Sequence, residues 1–244
     1  MSELFSIQLQ NRQQQGRDGV WLDLPTTTEQ VQAALRQIGI SSDNPQGLFI
    51  SGYFAEEEKR FAIPYNMVLA SNVDELNFLA ARLETLSAGE RAELNAALQA
   101  PQSELSSIGR ITDFPENVDY YVHLPDVRGP AQLGDYYLNR SGMVDMPEEW
   151  KGGIDTAQFG RYVAQQEQGA FTQYGYLVKS GDEWQKVYEG QPVPEEYRVL
   201  SFPASEILRD AANIPPPVQP ETEPQKVIPI ILNGKDSVER MKEI

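Results

Sequence analysis

Apolar and polar positions alternate from the start of the chain. Phe5, Ile7 and Leu9 occupy every second place, the period of a strand with one buried face. Val20, Leu22 and Leu24 repeat the pattern until Pro25 ends it. The spacing then lengthens to three and four. Val31, Ala34, Leu35 and Ile38 mark one face of a helix, opened by a capping box of Thr26 and Glu29 and stopped by Gly39. Leu48 to Phe54 and Phe61 to Ile63 read as a further strand pair around the acidic turn Glu56-Glu57-Glu58.

Helical spacing dominates the next stretch. Leu76, Leu79, Leu83 and Leu86 share a face between about residues 73 and 86. Ser87 and Glu90 form a second capping box, ahead of a helix that buries Leu94 and Leu98 and closes at Pro101. The short connection predicts that these two helices pack as a hairpin. Residues 102–115 read as a loop and Val118 to Leu124 as a strand. A helix begins at Pro130 and runs to about Arg140, where Gly142 ends it. Pro147 to Trp150 can form one more turn, and Asp155 can cap a helix carrying Phe159, Tyr162 and Val163. Phe171–Val178 and Trp184–Tyr188 then read as a hairpin joined at Gly181-Asp182.

The end differs in kind. Pro203 to Ala212 suits a short helix, and residues 213–226 hold five prolines, the composition of an extended linker. Beyond lies Val227-Ile228-Pro229-Ile230-Ile231-Leu232, either a docking peptide or a strand folding back on the chain's own sheet. The expected class is α+β: an elongated chain of small mixed α/β and helical units with a Pro-rich linker and a C-terminal tail. The units are an N-terminal α/β unit at 1–68, a helical unit at 69–110 and a mixed C-terminal unit at 111–212. The linker at 213–226 and a tail peptide at 227–244 follow.

Charge changes the picture. The 244 residues carry 36 Asp and Glu against 20 Lys and Arg, a formal net charge of −16, of which residues 41–160 supply −11. Hydrophobic content of 40% argues for a folded carrier of that charge. Such a field repels nucleic acid and attracts cationic proteins, including those that bind DNA. No run of about 18 apolar residues exists to span a membrane, and the N-terminus lacks the pattern of a signal peptide. With no Cys, the expected location is the cytoplasm.

Catalytic chemistry finds little to build on. His123 is the single histidine, and one His without Cys cannot make the usual zinc sets. Its plainer reading is a strand residue with a hydrogen-bonded ring. Neither a phosphate-binding Gly-rich loop nor a Gly-x-Ser-x-Gly elbow occurs, and no cofactor is expected. Paired carboxylates such as Glu148-Glu149 and Asp182-Glu183 are too many for sequence to single out an acid–base pair. The tyrosines at 120–121, 136–137, 174 and 176 lie beside Asp119, Asp126 and Asp135, so packing or a protein interface suits them better than base stacking.

Three stretches together resemble the ArdA-type antirestriction proteins of mobile elements in Gram-positive bacteria. The first is Gly16-Arg17-Asp18-Gly19-Val20-Trp21-Leu22-Asp23-Leu24-Pro25, and the second is Asp74 to Ala80. The third comprises Leu133-Gly134-Asp135-Tyr136-Tyr137, Ser141-Gly142, Pro147-Glu148, Ile154-Asp155 and Phe159-Gly160-Arg161. The resemblance spans about residues 16–178. It implies a non-catalytic protein copy of the B-DNA charge pattern, dimeric, lying in the DNA groove of a type I restriction–modification enzyme and binding no nucleic acid itself. It also implies three small α+β domains in a row.

The charge count suits that implication. Duplex DNA carries one charge per roughly 1.7 Å, so about 36 outward carboxylates on a dimer would match about 60 Å, near 18 base pairs. The expected phosphate mimics begin with Glu56, Glu57 and Glu58, then Asp74, Glu75, Glu84, Glu90 and Glu93. Asp113, Glu116, Asp119, Asp126 and Asp135 continue the set, and Asp145, Glu148, Glu149 and Asp155 complete it. Two other readings stand beside this one. An acidic interaction module of a mobile element could address a different nuclease or regulator, using the linker and tail. A carboxylate-based hydrolase would instead need a pocket with two facing acids.

Overall fold

Strand alternation at the N-terminus buries one side of a three-stranded antiparallel sheet in the order β2-β1-β3. Its strands are β1 (Phe5–Asn11), β2 (Val20–Leu24) and β3 (Leu48–Phe54). Phe5, Ile7 and Leu9 point inward, and Ile7 lies opposite Leu22 on one side and Tyr53 on the other. In the computed structural model the described residues are 3–14, 18–41, 47–56, 61–101 and 103–200. All of them belong to one compact unit, Met1–Ala211. The expected helix at 203–212, the linker and the tail lie outside the described residues.

Helix α1 (Thr28–Gln37) places Val31, Ala34 and Leu35 in the core beneath this sheet, and Gly39 leaves it with φ of +69°, in the left-handed region. Its capping box sits one residue later than expected, on Thr27 and Gln30. The reason is tertiary: Thr26 is buried, and its N–H donates to Asn77 Oδ1 at 2.7 Å. Phe61 to Ile63 form no strand. Phe61 and Ile63 plug the core from an irregular segment whose Ala62 N–H donates to Asn95 Oδ1 at 2.7 Å.

After the short α2 (Tyr65–Leu69), helix α3 (Val73–Glu84) buries Leu76, Leu79 and Leu83 completely. Helix α4 (Ala88–Gln99) opens with the Ser87–Glu90 box. The closest helix to α3 is α5 (Ile108–Asp113) rather than α4, and α5 lies in the stretch that reads as loop. Six residues are too few for periodicity to show. Ile108, Ile111 and Phe114 are nevertheless buried, and Ser107 caps the helix by accepting from Arg110 N–H.

A second antiparallel sheet has the order β4-β6-β5, with β4 (Tyr121–Leu124), β5 (Ala170–Thr172) and β6 (Gly175–Lys179). The hairpin is therefore β5–β6, turning at Gln173-Tyr174, and Trp184–Tyr188 is not its second strand. Between β4 and β5 come α6 (Pro130–Asn139), α7 (Glu148–Lys151) and α8 (Thr156–Glu167), the last capped by Asp155. One buried apolar cluster draws on residues from Leu4 to Leu200. A smaller one joins Val127, Leu133, Ala164 and Tyr176.

Candidate functional site

The carboxylates divide into two populations, one turned into the fold and one turned out. Asp74 and Asp113 belong to the first. Asp74 Oδ1 accepts from the N–H groups of Val199 and Leu200 at 2.7 and 2.8 Å. Asp113 accepts from those of Tyr188 and Glu189 at 2.6 and 3.2 Å. Burial raises the pKa of Asp74 above the ordinary carboxylate range, against the pull of those two amides and of Arg198.

Two asparagines complete the hold on this C-terminal strap, residues 184–200. Asn77 donates to Tyr197 O at 3.0 Å. Asn117 accepts from Gln185 N–H at 2.7 Å and donates to Gln185 O at 2.9 Å, as a neighbouring strand would. Phe78 packs against Tyr188 and Tyr197, with ring centroids 4.9 and 4.7 Å away. Arg110 clamps Glu189 at 3.0 Å and Glu104 at 2.6 Å. Asp74 and Asp113 thus present no charge outward. Backbone amides in an irregular segment need acceptors, and these two side chains supply them.

The second population faces solvent. Glu56 follows β3, Glu116 and Asp119 sit on 3₁₀ turns after α5, and Asp126 lies in the loop after β4. Asp145, Glu148, Glu149 and Asp155 crowd the stretch around α7, among the exposed side chains of Met143 and Trp150. Several are already engaged locally. Glu116 meets Arg82 at 2.6 Å, Glu148 meets Lys151 at 3.0 Å, and Asp155 accepts from the first amides of α8.

Asp135 lies between. It is half-buried and held below the ordinary range by bonds from Asn139 and Arg140. Glu75, Glu84 and Glu90 are also half-buried, with Glu75 and Glu90 closing capping boxes. Glu93 is pushed up to about 8 by burial, with Glu90 and Asp119 adding repulsion. It is therefore mostly protonated at neutral pH and contributes little negative charge there. Glu57 and Glu58 lie outside the described residues.

The helices that flank the densest stretch of outward acids are tied together by features the sequence displays but does not explain. Gly134 of α6 and Gly160 of α8 face each other where the helices cross. A Cβ on Gly134 would overlap the Thr156 carbonyl oxygen, and one on Gly160 would overlap that of Pro130. Glu167, at the end of α8, accepts from the hydroxyls of both Tyr137 and Tyr176. Burial, then this carboxylate, keep both phenols protonated far above neutrality. His123 lies on β4 with its Nε2 bonded to Tyr174 O at 2.9 Å.

A cavity of about 720 Å³ opens between the N-terminal ends of α3 and α5 and the strap. Asp74, Glu75 and Glu189 line it. They do not form an acid–base pair: Asp74 is turned to the strap amides, Glu75 caps α3, and Glu189 is engaged by Arg110 and Lys186. Among the described residues no three His, Asp or Glu side chains converge to hold a metal ion. No helix among them is long and apolar enough to cross a membrane.

Two-thirds of the chain matches a family model. The match runs over residues 15–178: it begins after β1, covers β2 and β3, the α3–α5 helices, the outward acids of 116–155 and the Gly134–Gly160 crossing, and stops before the strap. No curated protein matches the chain. The family described by that model is the antirestriction protein ArdA, and this chain belongs to it.

Proposed function

We propose that this protein is a non-catalytic DNA mimic that blocks a type I restriction–modification enzyme by lying in its DNA-binding groove. The observation that carries the reading is the run of solvent-exposed carboxylates along the chain at Glu116, Asp119, Asp126, Asp145, Glu148, Glu149 and Asp155, all inside the family-matched stretch. A groove built for DNA is lined by cations that bind phosphates at regular intervals. Carboxylates fixed on a rigid scaffold can take their place at little ordering cost.

The contact set extends to Glu56, Glu57, Glu58, Glu75, Glu84 and Glu90, with Asp135 at its edge. Asp74 and Asp113 are left out because they are buried, and Glu93 because it is mostly neutral. The protein acts in the cytoplasm as a homodimer, which doubles the length of duplex it can imitate. It binds no nucleic acid itself.

Long-range attraction speeds such an encounter and salt weakens it. The test is competition. Purified protein added to a type I enzyme bound to labelled duplex DNA should release the DNA at low salt, with the effect fading as salt rises. Failure to bind the enzyme at low salt would sink the reading.

A further inference from the structure

The outer face of the N-terminal sheet carries a feature that charge mimicry does not use. Ser6, Gln8 and Gln10 of β1 point away from the core, opposite the buried Ile7 and Leu9. Across from them on the same face stand Trp21 and Asp23 of β2 and Phe49, Gly52 and Phe54 of β3. Trp21 is 49% exposed and Phe54 is 58% exposed. The two rings touch, so they form one exposed aromatic patch rather than two scattered apolar residues.

The indole has a seat on the sheet. It reaches from β2 across Gln8 to β3, where Gly52 leaves room for it: a Cβ there would come within 3.0 Å of Trp21 Cη2. Phe54 meets its edge, with centroids 6.4 Å apart. Trp21 thus has its six-membered ring seated over Gly52 while about half of its surface stays open to solvent. Asp23 stands two residues along the same strand face, about 7 Å away by strand geometry, where Ser6 Oγ donates to it at 2.6 Å. Glu56 is exposed just beyond Phe54.

A half-exposed indole with a carboxylate one step away suits a planar cation. The negative face of the ring attracts the charge, and the carboxylate accepts from the edge of the group. Guanidinium fits better than ammonium because it stacks flat while its N–H donors point outward. The sheet already makes such a contact internally: the Arg12 guanidinium lies over the Phe49 ring at 5.3 Å. A nucleic-acid base would stack equally well but would bring phosphates to an acidic surface.

We propose that Trp21, flanked by Phe54 and Asp23, is a docking platform for an arginine side chain on a partner protein. This site is separate from the outward acids of 116–155 and does not depend on their acting as phosphate mimics. It adds a contact that salt screens only weakly, because stacking does not vanish when charges are shielded.

The experiment uses the full chain titrated with hexa-arginine and hexa-lysine, in calorimetry and in ¹H–¹⁵N spectra that resolve the indole N–H groups. Hexa-arginine should bind more tightly than hexa-lysine and should move the Trp21 indole resonance. Trp21→Ala should lower hexa-arginine affinity about threefold to thirtyfold, the range of a cation–π contact, without changing the salt slope. Trp150→Ala should leave it unchanged. Equal binding of the two peptides, or an unmoved Trp21 resonance in the wild-type chain, overturns the proposal even if the Trp21 variant misfolds.

Discussion

Asp113 and Glu149 are both acids within the family-matched stretch, yet they do opposite work. Asp113 is completely buried and holds two amides of the strap, whereas Glu149 stands exposed on α7. Around the first lies the large core shared by the sheet, α3 and α5, whereas the four-residue α7 that carries the second buries no residue of its own. The difference teaches that net charge overstates the surface field. Acids that face unpaired amides of the strap are drawn inward as acceptors, and those with no such amides beside them stay in water.

Breaking the inward set should have the largest effect. Asp113→Ala leaves the amides of Tyr188 and Glu189 without their acceptor and frees Arg110 and Glu189 from a fixed strap. It should cost about 2–4 kcal/mol in urea unfolding, as charged hydrogen bonds and orphaned donors do. Wild-type stability in that variant would show that the strap contributes little. Gly160→Ala should come next, at about 1–3 kcal/mol, because its methyl must push α8 off Pro130. A loss confined to the helical region, seen as faster amide exchange in α6 and α8, would confirm that the two regions are separable.

Glu93 sharpens the comparison from its boundary. Its folded pKa is raised to about 8, from an ordinary value near 4.5 in the unfolded chain. Between those values the folded state holds a proton that the unfolded state has lost, so stability falls as pH rises from about 4.5 to 8. Glu93→Gln keeps the neutral form. It should add on the order of 1–2 kcal/mol at pH 9 and almost nothing at pH 5, in denaturation measured at both. The smallest effect on folding belongs to the outward set. Changing Asp145, Glu148 and Glu149 to their amides should alter stability by under about 0.5 kcal/mol each. The same triple variant should displace DNA from a type I enzyme less well and with a shallower salt dependence.

Much of this was legible in the residues. Alternation located β1 and β2, and leucine spacing located α3, because one face of each element meets a core; the apolar run Leu48–Phe54 located β3 but not its partner. The Ser87–Glu90 box and the Asp155 cap were readable because both are closed within a few residues. The missed α5 is too short to show a period, whereas two other misreadings share one cause, distance along the chain. Thr27 rather than Thr26 caps α1 because Asn77 takes Thr26, and Trp184–Tyr188 is no strand because Asn117 and Asp113 hold it in place of a partner strand. The acids are all visible in the sequence, but only burial separates the outward ones from Asp74 and Asp113. Glycine inside a helix was the visible sign of the α6–α8 crossing, and its meaning needed the opposing carbonyls.

The strap has a practical consequence for anyone trimming this chain. A fragment ending at residue 178, where the family match stops, would keep Asp74, Asn77, Asp113 and Asn117 but remove the backbone they grip. It would open the side of Phe78 now covered by Tyr188 and Tyr197. The smallest fragment able to stand by itself should therefore reach at least to Leu200, more than twenty residues beyond the end of the family match.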